Sequence, residues 1–317
     1  MNEKVVILGG GESGVGAAIL SMAKGYNVFL SDSGLISSKR KSTLKEHNID
    51  FEEGQHDTGI ILSATEIVKS PGIPDDIPLL VSAREKNILV ISEIEFAMRH
   101  SKATFIGITG TNGKTTTTLL TYHLLNESGY DVGLAGNIGH SLARQVAHGD
   151  RDYFVIELSS FQLDGMIKAR LHIAILLNIT PDHLNRYNNR FELYAKSKIR
   201  IARNMRKEDL LIYNQGDTTA LEQIKYLKSH VNLASISLEK QDNSVAYAVD
   251  KNLIFKEGDA FKKIAKKTLP MLGKHNMINS MAAIEAVRKV GMDWESISSA
   301  LKTFRNAPHR LEYIGSI

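Results

Sequence analysis

Apolar and polar positions along this chain follow one repeated order: a short unbroken apolar run, a turn rich in glycine or proline, then apolar residues at helical spacing. The first run is 4–8, followed by Gly9-Gly-Gly-Glu-Ser-Gly-Val-Gly16 and a helix that can bury Ala17, Ile19, Leu20 and Met22. Strands at 28–31, 67–69 and 90–92 and a short helix over 93–98 come next, and 99–102 reads as a link. A second series starts with a strand at 104–108 and a helix over 117–125. It continues with strands at 132–135, 153–157, 171–179 and 210–213, and helices over 191–205, 277–290 and 294–304. Runs at 245–249 and 253–256 flank Asp250-Lys-Asn252 as a hairpin. Strand, turn and helix in this alternation predict an α/β fold with parallel sheets. There are no internal repeats and no low-complexity tracts.

Two of the turns carry chemistry. Gly107-Ile-Thr-Gly-Thr-Asn-Gly-Lys-Thr-Thr116 lies between a strand and a helix, the setting of a phosphate-binding loop. Gly110 and Gly113 allow the tight turn, so that backbone amides from Gly110 through Thr116, Thr111 and Asn112 included, converge on an anion at a helix N-terminus. Lys114 reaches toward β- and γ-phosphates, and the Thr115 hydroxyl is placed for Mg²⁺. The interval from Gly107 to Gly113 is one residue longer than the usual G-x-x-x-x-G, and the plain alternative is a glycine turn before a helix. Nearer the start, Gly9, Gly11 and Gly14 satisfy G-x-G-x-x-G, and Asp32 ends the next strand where an acid meets a ribose. That unit is short, which predicts a nucleotide diphosphate rather than a full dinucleotide. The fold expected is therefore a small Rossmann-like domain over 1–100 and a P-loop NTPase-type domain with a mostly parallel sheet over 101–304.

Composition narrows the alternatives. The 317 residues are 43% hydrophobic and 23% charged, the mixture of a globular protein long enough for two domains. Without a cysteine, thiolate metal sites, disulfides and a cysteine nucleophile are excluded. No signal peptide and no membrane-spanning run is evident, so the expected setting is the cytoplasm without membrane insertion. The net charge of +4 is spread over short basic clusters (Lys39-Arg-Lys41, Lys262-Lys263, Lys266-Lys267) without interleaved aromatics. These read as solvated faces rather than a nucleic-acid surface.

Other positions stay open on sequence alone. Three of the six prolines fall in Ser70-Pro-Gly-Ile-Pro-Asp-Asp-Ile-Pro78, a stiff loop that either lines a crevice or is a structural turn. Asn137, in Gly136-Asn-Ile-Gly139, is equally a polar contact or a turn residue. Glu157 closes an apolar strand beside the phosphate loop, the Walker-B arrangement for holding Mg²⁺. His183 lies past the C-terminal end of the 171–179 strand and reads as a second metal ligand or a loop histidine. Lys198, between Lys196 and Arg200, reads from spacing as a solvated lysine.

Taken in order, the pieces resemble the Mur ligases, ATP-dependent amide-forming enzymes of peptidoglycan synthesis. The matching stretches are the loop 107–116, Gly136-Asn-Ile-Gly139, Glu157-Leu-Ser-Ser-Phe-Gln-Leu163, Asn178-Ile-Thr-Pro-Asp-His183, Tyr194-Ala-Lys-Ser-Lys-Ile-Arg200, Gly273-Lys-His-Asn276 with Asn279, and Pro308-His-Arg310. The 157–163 run and the Ser70-Pro-Gly-Ile73 loop resemble the branch that joins D-glutamate to UDP-N-acetylmuramoyl-L-alanine. The resemblance implies that Gly11, Ser13, Asp32, Ser33 and Gly72 bind the uridine diphosphate, and that Asn137, Ser159 and Gln162 hold the muramoyl-alanine arm. It implies one Mg²⁺ on Thr115 and Glu157 and a second on His183, with Lys198 carbamylated into a metal-binding anion, against the spacing reading. Asn276, Asn279 and Arg310 would contact ATP. A monomer is expected. Rival readings are another Mur-type amide ligase, a nucleotide-binding module without turnover, and a nicotinamide oxidoreductase that would leave the phosphate loop idle. Folylpolyglutamate synthases share the central domain but not the N-terminal one.

Mur ligases carry a third α/β domain after the Pro-His-Arg segment, and here only seven residues, 311–317, follow Arg310. The resemblance therefore implies that 305–317 begins a linker to an absent domain. Such a piece would bind the uridine nucleotide and, more weakly, ATP, but would not form the amide.

Overall fold

The computed structural model describes residues 3–227 and 231–305. It divides into two compact units: Met1–Ala103 with Ala135–Arg151 and Ser160–Ala169, and Thr104–Leu134 with Asp152–Ser159 and Arg170–Ile317.

The first unit is built on strands β1 (Lys4–Leu8), β2 (Asn27–Asp32), β3 (Asp50–Glu53), β4 (Glu66–Lys69) and β5 (Leu89–Ser92). Helices α1 (Glu12–Ala23), α2 (Ser38–Glu46), α3 (Thr58–Ile61), α4 (Pro78–Glu85) and α5 (Glu93–Arg99) connect them or follow them. The strands pair in the order β3-β2-β1-β4-β5, all parallel. Parallel strands need crossover helices, which is why the central strand β1 is a nearly continuous apolar run buried from Val5 to Leu8, while the edge strand β3, Asp-Phe-Glu-Glu, has no buried residue. Val6, Leu8, Ile67, Leu80 and Ala83 form one covered face. The chain moves outward one way through β2 and β3, then returns beside β1 at β4. The ends of β1 and β4 thus form the switch point at which open α/β sheets hold ligands.

Two later segments complete this unit, and neighbouring carboxylates on α5 hold them. Helix α7 (Leu142–His148) is capped by Ser141, whose hydroxyl accepts from Arg144 N and donates to Glu93 at 2.7 Å. Ala143 N donates to the same Glu93 oxygen at 2.7 Å. Glu95 is fully buried and accepts from the backbone N–H groups of Ile167 (2.9 Å), Lys168 (3.1 Å) and Ala169 (2.8 Å) and from Arg99 Nε (3.0 Å). A buried carboxylate is tolerated when hydrogen bonds replace its water. Glu93 has fewer donors, and burial pushes its carboxyl up to about 7.

The second unit carries β6 (Thr104–Thr109), α6 (Lys114–Glu127), β7 (Val132–Gly136), β8 (Tyr153–Glu157), β9 (Ile173–Leu176), α9 (Phe191–Ile199), β10 (Leu210–Asn214), α10 (Thr218–Ile224) and β11 (Asn232–Ser237). Strand β7 ends in a segment of the first unit, as does α8 (Ser160–Asp164), which follows β8. Then come β12 (Ser244–Val249), β13 (Asn252–Glu257), β14 (Ala260–Ala265), α11 (Lys274–Val290) and α12 (Trp294–Thr303). The strand order is β14-β13-β12-β11-β10-β9-β6-β8-β7. The sheet is mixed: β6, β8, β9, β10, β11 and β12 pair in parallel, and β12-β13-β14 is an antiparallel meander. Leu120 and Leu124 of α6 pack with Ile106, Ile108, Val155 and Ile175 of the sheet and with Met281 and Ala282 of α11.

The α/β class with a parallel first sheet agrees with the sequence reading. Three local expectations need correction. The strand expected over 171–179 is only Ile173–Leu176, because the chain from Asn178 turns to bond the phosphate loop. The helix expected over 191–205 stops at Ile199 and tightens into a 3₁₀ turn, Arg200–Ala202, with Arg203 N bonded to Arg200 O. The hairpin of β12 and β13 gains β14, whose residues Ala260 to Lys263 are exposed and so lack the alternation that marks a strand.

Candidate functional site

In the second unit the phosphate loop runs from the end of β6 into α6. Gly113 caps the helix with φ +82, a left-handed conformation that costs other L-residues about 1–2 kcal/mol. A Cβ there would also stand 2.5 Å from Asn279 Oδ1 on α11, so the loop and α11 approach at a point open only to glycine. Asn279 Nδ2 donates to Asn276 Oδ1 (3.1 Å), and Asn276 Nδ2 donates to Leu272 O (2.8 Å). Both asparagines are buried. Two residues expected to meet ATP are therefore brought to the loop; the third, Arg310, lies outside the described residues.

The other side of the loop is tied to the chain leaving β9. Thr111 N donates to Asn178 O (3.0 Å), Asn112 N to Asn178 Oδ1 (2.8 Å), and Asn178 Nδ2 returns to Asn112 O (3.0 Å). Thr111 Oγ1 accepts from Thr180 N at 3.0 Å and meets the Tyr194 hydroxyl at 3.2 Å. Lys114 Nζ folds back onto the carbonyls of Gly110 (2.9 Å) and Thr111 (2.8 Å). Thr115 and Thr116 lie in the first turn of α6, Thr116 buried. Asn178, Thr180 and Tyr194 received no role from sequence beyond their motifs. Nothing local in the sequence marks them, since their partners are at least 66 positions away.

Glu157 ends β8, in register with Ile108 of β6, and is 2% exposed. The strand-end acid is thus adjacent to the strand that carries the loop. His183 has φ +49 and an exposed ring 3.6 Å from Asp182. Lys198 corrects the reading from spacing: it is 1% exposed, not solvated. Its Nζ lies 4.9 Å from the centre of the Tyr194 ring and 3.5 Å from Thr109 Oγ1, which itself donates to Leu158 O (2.7 Å). Among the described residues no three His, Asp or Glu side chains cluster as a self-sufficient metal cage. The oxygen donors at the loop, the Thr115 hydroxyl and the Glu157 carboxylate, are of the kind that Mg²⁺ takes.

The first unit holds the other loop. Gly14 is required there, since a Cβ on it would stand 1.8 Å from the Gly9 carbonyl. Gly11 caps α1, and Ser13 lies in its first turn, partly exposed. Asp32 closes the loop, accepting from Gly10 N at 2.5 Å and Gly34 N at 2.8 Å, and Ser33 beside it is exposed. Ser70 Oγ is buried without a hydrogen-bond partner among the described residues, next to Gly9. Gly72 is exposed in the following turn. Asn137 is exposed in the turn where Gly136 N bonds His140 O (2.8 Å), while Gln162 is buried on α8. Ser159, in the second unit, is partly exposed just past β8. No described helix is long and apolar enough to cross a membrane.

Comparison with known proteins follows this geometry. Residues 108–287 match the Mur ligase middle domain, and residues 3–92 match the Mur ligase MurD-like N-terminal domain. A protein of Cytophaga hutchinsonii named UDP-N-acetylmuramoylalanine–D-glutamate ligase is 50% identical over 323 residues, covering 100% of this chain and 71% of its own length. The protein of that name from Porphyromonas gingivalis is 49% identical, covering 99% and 70%. Among solved structures, a UDP-N-acetylmuramate:L-alanyl-γ-D-glutamyl-meso-diaminopimelate ligase from Neisseria superposes with a TM-score of 0.68 at 19% identity, covering 97% of this chain and 99% of that one. The glycine loop with its lysine, the strand-end acid and the whole-chain relatives agree, and this chain belongs to the Mur ligase family.

Proposed function

We propose that the chain supplies the uridine-nucleotide and ATP sites for ATP-dependent ligation of D-glutamate to UDP-N-acetylmuramoyl-L-alanine in peptidoglycan synthesis. The observation that carries this reading is the match, at 50% identity across 100% of the chain, to a relative bearing the name of that ligase. The uridine nucleotide is assigned to residues 1–100, at Gly11, Ser13, Asp32, Ser33 and Gly72, with Asn137 and Gln162 on its muramoyl-alanine arm. ATP is assigned to residues 101–304, at the loop 110–116, Asn276 and Asn279.

An oxygen of the alanine carboxylate attacks the γ-phosphorus. The bond to the ADP oxygen breaks, leaving ADP and an acyl phosphate. The D-glutamate amine then attacks the acyl carbon, the carbon–oxygen bond breaks, phosphate departs with its electron pair, and the nitrogen loses a proton. Lys114 swings from the loop carbonyls to the phosphates and offsets charge on the transferring group, where most of the acceleration of such reactions lies. Two Mg²⁺ ions would supply further charge neutralisation when bound. Thr115 and Glu157 offer oxygen donors that fit the first, and His183 contributes to the second. Lys198 fits only as a carbamate, because an ammonium would repel a cation. The reading sets the protein in the cytoplasm as a monomer.

Calorimetric titration with UDP-N-acetylmuramoyl-L-alanine and with a non-hydrolysable ATP analogue tests this. Saturable binding of both is expected. A chain that binds the ATP analogue but no uridine nucleotide would overturn the reading.

A further inference from the structure

We infer that Lys69 is a positioning residue for the uridine nucleotide, holding the 70–75 loop against the glycine loop of the first unit. The inference rests on the assignment of that unit to the nucleotide. Lys69 ends β4, with Leu8 of β1 beside it on one side and Ser92 of β5 on the other. It therefore stands at the switch point of the sheet. Its side chain is only 4% exposed, and a lysine is almost never buried without a specific partner. Nζ donates to Ile73 O at 2.8 Å and lies 3.4 Å from Asp75 Oδ2. Arg84 of α4 grips the same aspartate from outside, with Nη1 on its carbonyl (2.5 Å) and Nη2 on its Oδ1 (2.7 Å).

The composition of the loop explains why a cation does this. Pro71 and Pro74 have no N–H, so the segment has few backbone donors with which to fasten itself. Ile73 N bonding Ser70 O (3.1 Å) makes one tight turn, and the carbonyls remain as handles. A donor from the sheet is the complementary partner, and Asp75 offsets the charge that burial would otherwise penalise.

What the clamp positions is visible at Gly9. Ser70 Oγ would lie 2.5 Å from a Cβ on that glycine, and Ile73 Cδ1 would lie 3.5 Å from it. The loop held by Lys69 is thus in direct contact with the glycine turn, and it presents a buried hydroxyl with no protein partner among the described residues. Letting Ile73 and Asp75 move away would withdraw that hydroxyl from the place where the nucleotide is proposed to sit.

Lys69→Met keeps the length and the apolar stem of the side chain while removing the donor and the charge. UDP-N-acetylmuramoyl-L-alanine should bind this variant roughly tenfold more weakly, the scale of one lost charge-assisted hydrogen bond. The affinity for a non-hydrolysable ATP analogue and the thermal midpoint should stay as in the wild type. Asp75→Asn, at a half-exposed position that threatens folding less, should show a smaller loss in the same direction. Unchanged uridine-nucleotide affinity in both variants would overturn the inference, as would equal weakening of both nucleotides with a lowered midpoint. Wild-type chain that binds no uridine nucleotide would instead overturn the site assignment, and the inference with it.

Discussion

After β1 the chain turns through residues 9–11, and an acid closes the turn: Asp32 accepts Gly10 N–H at 2.5 Å. After β6 it turns through residues 110–113, and a base closes the turn: Lys114 donates to the Gly110 and Thr111 carbonyls at 2.9 and 2.8 Å. Both are strand, glycine turn and helix, and both spend amides on protein acceptors: Gly10 N on Asp32 in the first, Thr111 N and Asn112 N on Asn178 in the second. What sets the first apart is the negative charge that Asp32 places beside its amides. That suits a ligand with hydroxyls to offer and phosphates that are not being transferred. The second places a cation on its own carbonyls, a charge that suits a triphosphate whose terminal group is transferred. One backbone design recurs in both units, and the sign of the closing side chain sets the two apart.

Lys114→Ala strikes the second loop hardest. Removing one preorganised charge contact at a phosphoryl transition state costs on the order of 3–4 kcal/mol, so ATP-dependent phosphate release should fall about 10²- to 10³-fold. Uridine-nucleotide binding should not change. Loss of both in parallel would show that the loops are not separate devices.

The next effect separates the units by pH. Glu93 in the first unit and Glu285 in the second are each pushed up to about 7, mainly by burial, with Glu285 partly relieved by Arg288. A carboxyl near 4.5 in the unfolded chain and near 7 in the folded one binds a proton more tightly when folded. Its contribution is therefore fullest below about 4.5 and is lost as pH rises toward 7, on the order of 3 kcal/mol for a site so deeply buried. Glu93→Gln keeps the oxygen that Ser141 and Ala143 bond. Its stability relative to wild type should climb as pH is raised through that window in urea unfolding, and parallel curves would contradict it. Glu285→Gln should do the same for the second unit.

Gly113→Ala sharpens the comparison at the backbone. The left-handed φ costs about 1–2 kcal/mol, and the new methyl meets Asn279 Oδ1. ATP-analogue affinity should drop roughly tenfold, and Asn279→Ala in the same chain should relieve the clash, raising the thermal midpoint without restoring that affinity. The smallest effect belongs to Asp32→Asn, which keeps one acceptor oxygen and loses the charge. Uridine-nucleotide affinity should weaken by a factor of about five, in line with one neutral hydrogen bond lost, with no change at the other loop.

Much of the second site was legible because its residues are contiguous. The turn 107–116 fixes its own conformation through glycine, and Lys114 and Thr115 follow at once in the helix. Glu157 could be placed at a strand end beside the loop because an acid after an apolar run is also a local signal. Lys198 was misjudged from spacing because its neighbours Lys196 and Arg200 look like a solvated face. Its burial comes from Tyr194 and from Thr109, 89 positions earlier. Glu93 and Glu95 read only as the start of a short helix. The segments whose backbone they satisfy, at 141–143 and 167–169, are 48 to 74 positions away.

The sequence by itself determined most of the strands, the glycine turns and the α/β class, because hydrophobic period and backbone permissiveness act between near neighbours. Only the tertiary structure decided what closes each loop and what carries each buried charge. Asp32 reaches back to Gly10, Asn178 and Thr180 brace the phosphate loop, Asn279 excludes any side chain at position 113, and Lys69 binds a carbonyl its own turn brings round. Except at Lys69, each of these pairs lies far apart along the chain. In all of them a burial penalty is met by a partner that the chain path supplies, and no local pattern encodes that path.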